Sequence, residues 1–399
     1  MQFQPFNYTV DMPALNQVVS DLNFAVRGWI TAQKNSKLEN PRLYNQDRFI
    51  CALGVIDRPD VQRAFPDQSV LGFHKYLSVD EAPALSETRI EFLLDQQAYS
   101  FPITIKFSYD QAEKIKTFRE QKQAKLEKIR ATLRCSVCGN EALQELIESL
   151  NCAKCGSNFG INQRNYNFLT QDLKLQNGVE ATESVSANSY DETAQKLIER
   201  FPDGLILDNG SGLRNVYYSN VINLEIVDYT TTDVLGVGES LPFKSNVFDA
   251  VFSLAVLEHV KNPFECANEI ARVLKPGGVL YAAVPFLQPF HGYPNHYYNM
   301  TSSGLKNLFS QTLEIVEYGV PQSGVPIWSL SWFLNSYLAG LPLEVAEQFK
   351  NMKVSELATM PPPYLATDFV TKLSPKVNEE LACVNFLIAT KPTLTPNQL

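Results

Sequence analysis

The chain is 399 residues long, 45% hydrophobic and 19% charged, with a formal net charge of −9 at pH 7. That length accommodates two or three domains with cores of their own, and the ordinary composition excludes a disordered or fibrous chain. The acidic balance argues against a nucleic-acid partner, whose phosphates favour basic surfaces. Met1-Gln2-Phe3-Gln4-Pro5 has neither the basic nor the apolar region of a secretory signal. The longest apolar stretch, 328–343, contains Ser, Asn and Gly and is short for a membrane span. Seven cysteines, four of them tightly patterned, read as reduced usage with a metal site, so a cytoplasmic setting is expected.

Residues 1–108 read as strands. Phe24–Ile30, Phe49–Ile56, Arg89–Leu94 and Phe101–Phe107 are runs rich in branched and aromatic side chains, separated by turn residues. Short strands at this spacing suggest a β-sandwich. Gly28-Trp29, Asp57-Arg58-Pro59-Asp60-Val61 and Gly72-Phe73 resemble immunoglobulin-like domains attached to bacterial glycan-modifying enzymes. The resemblance covers this domain alone and implies a carbohydrate context; a spacer that packs against its neighbours is the other reading.

From 109 to 134 the chain becomes a charged helix. Lys114, Lys116, Arg119, Lys122, Lys125, Lys128 and Arg130 alternate with Glu113, Glu120 and Glu127, and Ile115, Phe118, Leu126 and Ile129 form a narrow apolar stripe. A connector with a solvated charged face is expected. Cys135-x-x-Cys138 and Cys152-x-x-Cys155 follow within 135–170. Two such knuckles bring four thiolates to one tetrahedral zinc site. With all four positions filled by protein, the zinc is expected to be structural. The segment 133–169 resembles the small zinc-ribbon proteins that act as activating partners of methyltransferases. Polar residues 171–188 read as a linker.

The run Leu205-Ile206-Leu207-Asp208 breaks into Asn209-Gly210-Ser211-Gly212. This reads as a buried strand entering a tight turn, where glycine lets the backbone approach a ligand. Val221–Asp228 is a second strand ending in an acid, and Gly236–Phe243, Phe248–Ser253, a helix at 263–274 and a strand at 279–285 continue the alternation. A mostly parallel α/β sheet is expected.

Asp208-x-Gly210-x-Gly212, Asp228, Ser240-Leu241-Pro242-Phe243, Phe248-Asp249-Ala250-Val251, Val256-Leu257-Glu258-His259-Val260 and Arg272–Gly278 resemble class I S-adenosylmethionine-dependent methyltransferases, in the type 11 subgroup. The resemblance covers 189–392. It implies a Rossmann-like seven-stranded sheet, with 313–318 and 383–390 as its last two strands and a helical insertion at 321–378. It also implies cofactor contacts: Asp208, Gly210, Ser211 and Gly212 around the methionine part, and Asp228 on the ribose. Gly238, Glu239 and Ser240 should border the adenine, with Ser253 and Ala255 beneath the sulfonium. Arg214 and Val237 depart from the family pattern, which has glycine and an acid there.

Methyl transfer needs alignment above all, and a base where the acceptor is a hydroxyl. Histidine suits that task near neutral pH. His291 and His296 lie in an aromatic loop, 285–301, expected to face the acceptor, or else only to cover the cofactor; His259 follows the fourth strand in a catalytic or a packing role. The apolar segment beginning at Ile327 reads as a lid, a dimer contact or a shallow membrane dock. The expected activity is O-methylation of a sugar, glycan or glycan precursor. The alternatives are methylation of RNA or a translation protein, and a non-catalytic module with a decayed cofactor site.

Overall fold

The computed structural model describes residues 5–383 apart from 15, 83, 84, 86, 163, 180–185, 187, 188, 293 and 294. The strand Thr88–Leu94 buries every second side chain, the period of a sheet with one face on a core. It belongs to an antiparallel sheet with Arg48–Ala52, Leu38–Asn45 and Gln97–Ile103, and a second sheet joins Phe6–Met12, Asn23–Gln33, Gln68–Ser78 and Gly54–Ile56. Their inner faces share one core around Val26, Ile30, Leu43, Phe73, Ile90 and Phe101.

Helix α1 (Gln111–Arg130) begins at Asp110, whose carboxylate accepts the N–H of Glu113. Its buried side chains are Ile115, Phe118, Lys122, Lys125, Leu126 and Ile129. The expected stripe is therefore present, but two lysines complete it. The expectation of a wholly solvated charged face fails at Lys122 and Lys125.

The ribbon strands Leu143–Glu145, Ser149–Cys152 and Asn158–Ile161 pair antiparallel, and β1 (Tyr166–Asn167) ends that ladder. Helix α2 (Gln171–Asn177) follows, starting at Thr170 and burying Leu173; the expected linker is helical in this part. After α3 (Glu192–Arg200) come β2 (Ile206–Asn209), β3 (Val221–Glu225), β4 (Val234–Leu235), β5 (Phe248–Leu254), α4 (Pro263–Val273) and β6 (Leu274–Ala283). The sheet order is β1-β4-β3-β2-β5-β6, parallel throughout. The ribbon thus continues the α/β sheet across its β4 edge. Strand order reverses on either side of β2, and such a switch point opens a crevice at the strands' C-terminal ends.

The fold departs from the expected sheet in two ways. Residues 210–220 and 226–233 form no helix, and α1 covers these connections instead. Residues 314–320 pair with no strand among the described residues, and Val316 is 91% exposed; the expected sixth strand is absent there. The expected seventh strand lies outside the described residues from 384 onward.

The described residues group into two compact units, one within 1–285 and 293–318, the other within 286–292 and 319–399. The second unit is helical, with α5 (Pro326–Ala339) beside shorter helices over a small core of Leu341, Val345, Ala346 and Phe349. No helix among the described residues is long and apolar enough to cross a membrane.

Candidate cofactor and acceptor site

The turn after β2 is built by its own backbone. Gly210 and Gly212 take φ of +75° and +61°, which a side chain resists. A Cβ on Gly210 would lie 2.5 Å from Val256 Cγ2. The N–H groups of Gly210 and Ser211 both donate to the Leu224 carbonyl, that of Gly212 to Glu225, and that of Leu213 to the Ser186 carbonyl. These hydrogen bonds dock the turn on the end of β3.

Two buried ionic networks brace this turn from below. Asp208 Oδ2 accepts from Tyr190 and, at 2.8–2.9 Å, from Arg214, whose guanidinium lies 4.1 Å from the Tyr190 ring centre. Arg214 is therefore the partner of Asp208. Its carbonyl accepts from Asn23 of the N-terminal sheets at 2.7 Å. In the second network, Lys125 donates to Asp233 at 2.9 Å and to the Val221 carbonyl at 2.6 Å, over the Tyr217 ring. Lys122 donates to the carbonyls of Thr230 and Thr232, and Tyr217 hydrogen-bonds Asp233. Burial pulls Lys125 down to about 8 against the attraction of Asp233.

The acid at the end of β3 is Glu225. Its carboxylate accepts the N–H of Gly212 at 2.8 Å and of Ile226 at 2.7 Å, and burial raises its pKa. Asp228 lies three residues beyond the strand, 47% exposed at its side chain, and accepts from Asn165 of the ribbon. The two acids sit close in sequence, and only the strand's end point separates them.

After β4, Gly238, Glu239 and Ser240 form a single 3₁₀ turn. The Ser240 hydroxyl donates to the Ser136 carbonyl of the ribbon, and Arg134 bridges to Glu269 at 2.8 Å. Glu239 accepts the N–H of Lys261 at 3.1 Å, and burial raises its pKa. A cavity of about 750 Å³ opens beside this turn, lined among others by Val237, Glu239, Lys261, Phe264 and Tyr298.

After β5, Ala255 sits at φ +55°, an uncommon conformation for a residue with a Cβ. It carries the chain into Val256, against Gly210, and then into Glu258 and His259. Ser253 Oγ is buried without a hydrogen-bond partner, and so are both carboxylate oxygens of Glu258, one oxygen of Asp208 and the amide oxygen of Asn209. Native proteins rarely leave such atoms orphaned. Asp208, Asn209 and Ser253 lie at the C-terminal ends of β2 and β5, and Glu258 lies four residues beyond β5. Burial pushes Glu258 up to about 8.

His259 places Nδ1 2.7 Å from the Asn295 carbonyl. That contact makes Nδ1 the N–H donor and Nε2 the basic nitrogen. His296 lies in the same unit, its ring 5.6 Å from His259, and is hydrogen-bonded to Asn299. His291 belongs to the other unit, its Nδ1 2.7 Å from the Pro289 carbonyl and its ring 5.1 Å from Trp332. Among the predicted cofactor residues, the first unit gathers Asp208, Gly210, Ser211, Gly212 and Ser253 at neighbouring strand ends. Glu225 and Glu258, both buried acids of this region, were not among the residues singled out. Glu258 stood inside a recognised motif, but nothing in the sequence marked its burial.

The thiols of Cys135, Cys138, Cys152 and Cys155 lie within 4.8 Å of one another, with 3.6 Å between Cys135 and Cys155 and between Cys138 and Cys152. Four thiolates about 2.3 Å from one zinc ion would be ~3.7 Å apart. The cluster fits that ion.

Residues 216–282 match the family profile described as a methyltransferase domain. Over 57 residues the chain is 42% identical to an uncharacterized methyltransferase of Mycobacterium leprae, which covers 14% of this chain and 21% of the relative. A second uncharacterized methyltransferase, from Mycobacterium sp. (strain JLS), is 40% identical over 57 residues, 14% and 23% of the two chains. The match thus spans about a fifth of these relatives' length. An S-adenosylmethionine-dependent methyltransferase of Thermotoga maritima is similar at 20% identity and a TM-score of 0.23, over 30% of this chain and 74% of that one. A Haemonchus contortus phosphoethanolamine N-methyltransferase is similar at 17% identity and a TM-score of 0.28, over 47% and 48%. Scores this low carry no conclusion of their own. The profile match falls on β3 through β6.

Proposed function

We propose that the protein is an S-adenosylmethionine-dependent methyltransferase acting on a sugar, glycan or glycan precursor through oxygen. The observation that carries the cofactor reading is the set of orphaned buried polar atoms at the switch point, on Asp208, Asn209, Ser253 and Glu258. A polar ligand in the crevice gives those atoms partners. Asp208, Asn209 and the turn 210–212 would flank its methionine part. Glu225 replaces Asp228 as the acid for the ribose hydroxyls, and 237–240 would border the adenine. The bound cofactor supplies a reactive methyl group. The chain's own part is to hold donor and acceptor in line and to exclude water.

Where the acceptor is a hydroxyl, a histidine takes its proton. Of the two candidates in its unit, His259 and His296, His259 is the better placed, because the Asn295 carbonyl fixes the tautomer that leaves Nε2 basic. The four-cysteine cluster would hold a structural zinc ion with no open position. Arg214, which departs from the glycine pattern, is accounted for as the partner of Asp208, so it no longer speaks for a decayed site. The glycan acceptor rests on the resemblance of residues 28–73 alone.

The test is incubation of the full chain with methyl-labelled S-adenosylmethionine and a panel of sugars, nucleotide sugars and glycans, read by mass spectrometry. Label in a sugar hydroxyl is the expected result. Label only in RNA or protein would move the acceptor to the alternative class.

A further inference from the structure

Glu258 stands apart from the other buried acids among the described residues. It is 0% exposed, and neither of its oxygens accepts a hydrogen bond. Buried carboxylates elsewhere in the protein are paired: Asp208 with Arg214 and Tyr190, and Asp233 with Lys125 and Tyr217. Isolating a carboxyl from water without a donor is costly. The cost is visible in its pKa, which burial raises to about 8. A glutamine or a leucine would fill the same space without it.

The backbone holds this side chain firmly in place. The Glu258 carbonyl accepts the N–H groups of Tyr297 and Tyr298, at 2.7 and 3.2 Å. It thereby ties the end of the β5 connection to the tyrosine loop. Two residues earlier Val256 packs on Gly210, so the segment lies against the cofactor turn. Within its own unit, His259 places Nε2 3.7 Å from Glu258 Oε1. That is too long for a hydrogen bond. The segment that carries the carboxyl is thus tied to the turn and to the tyrosine loop, and neither carboxyl oxygen has a hydrogen-bond partner among the described residues.

We propose that Glu258 is the acceptor-binding group of this site, a carboxylate that accepts a hydrogen bond from an amine or hydroxyl brought to the donor methyl. This rests on the cofactor reading above and not on the glycan assignment. It specifies that the acceptor presents an N–H or O–H at the reacting atom, as opposed to a carbon or thioether nucleophile. Ionised and paired with such a donor, the carboxylate forms a charge-assisted hydrogen bond in a dry site, the stronger kind.

The test needs no knowledge of the acceptor. Sinefungin carries an amine where S-adenosylmethionine carries its methyl, whereas S-adenosylhomocysteine carries nothing there. Calorimetric titration of the full chain with each compound compares the two. The wild type is expected to bind sinefungin at least tenfold more tightly than S-adenosylhomocysteine. In Glu258→Gln, and equally in Glu258→Met, that preference should fall to within twofold. A wild type that binds both compounds equally overturns the inference, as does a preference that survives in the variants. A wild type that binds neither overturns the cofactor reading instead, and thermal melts of each variant establish that it is folded.

Discussion

Two buried polar regions lie side by side in the α/β unit, and they are built on opposite principles. Beneath the glycine turn every charge has a partner: Lys125 with Asp233, Arg214 with Asp208, and Tyr217 and Tyr190 closing the two sets. Above the ends of β2 and β5, the oxygens of Ser253, Asn209 and Glu258 have none. Completed networks rigidify a fold, while incomplete ones wait for a partner. The difference separates scaffold from site within a few residues of one sheet.

The largest effect should come from breaking the completed side. Removing one member of a buried pair leaves the other charge uncompensated, at about 3–5 kcal/mol. Lys125→Ala should lower the stability of the full chain by that amount in a urea titration. Lys125→Met combined with Asp233→Leu should recover much of the loss. A double variant as unstable as the single one would contradict the assignment of the pair.

On the incomplete side the sign reverses. The Glu258 carboxyl has a folded pKa of about 8, above its unfolded value of 4.5. The stability tied to its neutral form is complete below about 4.5 and is lost as pH rises toward 8. Glu258→Gln removes that dependence. It should match the wild type near pH 4 and exceed it at pH 8, by as much as ~4 kcal/mol. Melting curves at the two pH values check this, and equal shifts at both would sink it.

Gly210→Ala joins the two regions, because its methyl would strike Val256 at a backbone conformation with φ of +75°. A destabilisation of about 1–3 kcal/mol is expected, with loss of cofactor affinity. Asn23→Ala is the mildest change. It removes one buried hydrogen bond to the Arg214 carbonyl and should cost about 1 kcal/mol. A measurable weakening of cofactor affinity in this variant would show that the N-terminal sheets brace the turn.

Local patterns made much of this legible in the sequence. The two Cys-x-x-Cys knuckles are complete within 21 residues, and the apolar runs of β2, β3 and β5 stand out between turn residues. The α1 stripe was legible at Ile115, Phe118, Leu126 and Ile129. Lys122 and Lys125 were not, because a lysine reads as solvated unless its partner is known, and Asp233 is 108 residues away from Lys125. Arg214 looked like a missing glycine for the same reason: its pairing with Asp208 is a property of the turn's shape. The uninterrupted run Val221–Asp228 hides where the strand ends, at Glu225. At 313–318 the apolar residues suggested a strand, but a strand needs a neighbour, and none among the described residues pairs with it. Orphaned atoms are least legible of all, since they are defined by what fails to surround them.

The central claim is that the crevice at the ends of β2, β3 and β5 binds S-adenosylmethionine. Calorimetric titration of the full chain with S-adenosylhomocysteine tests it most directly. One site per chain is predicted, weakened at least tenfold, about 1.4 kcal/mol, by Glu225→Ala. No binding, or binding that Glu225→Ala leaves unchanged, would contradict it.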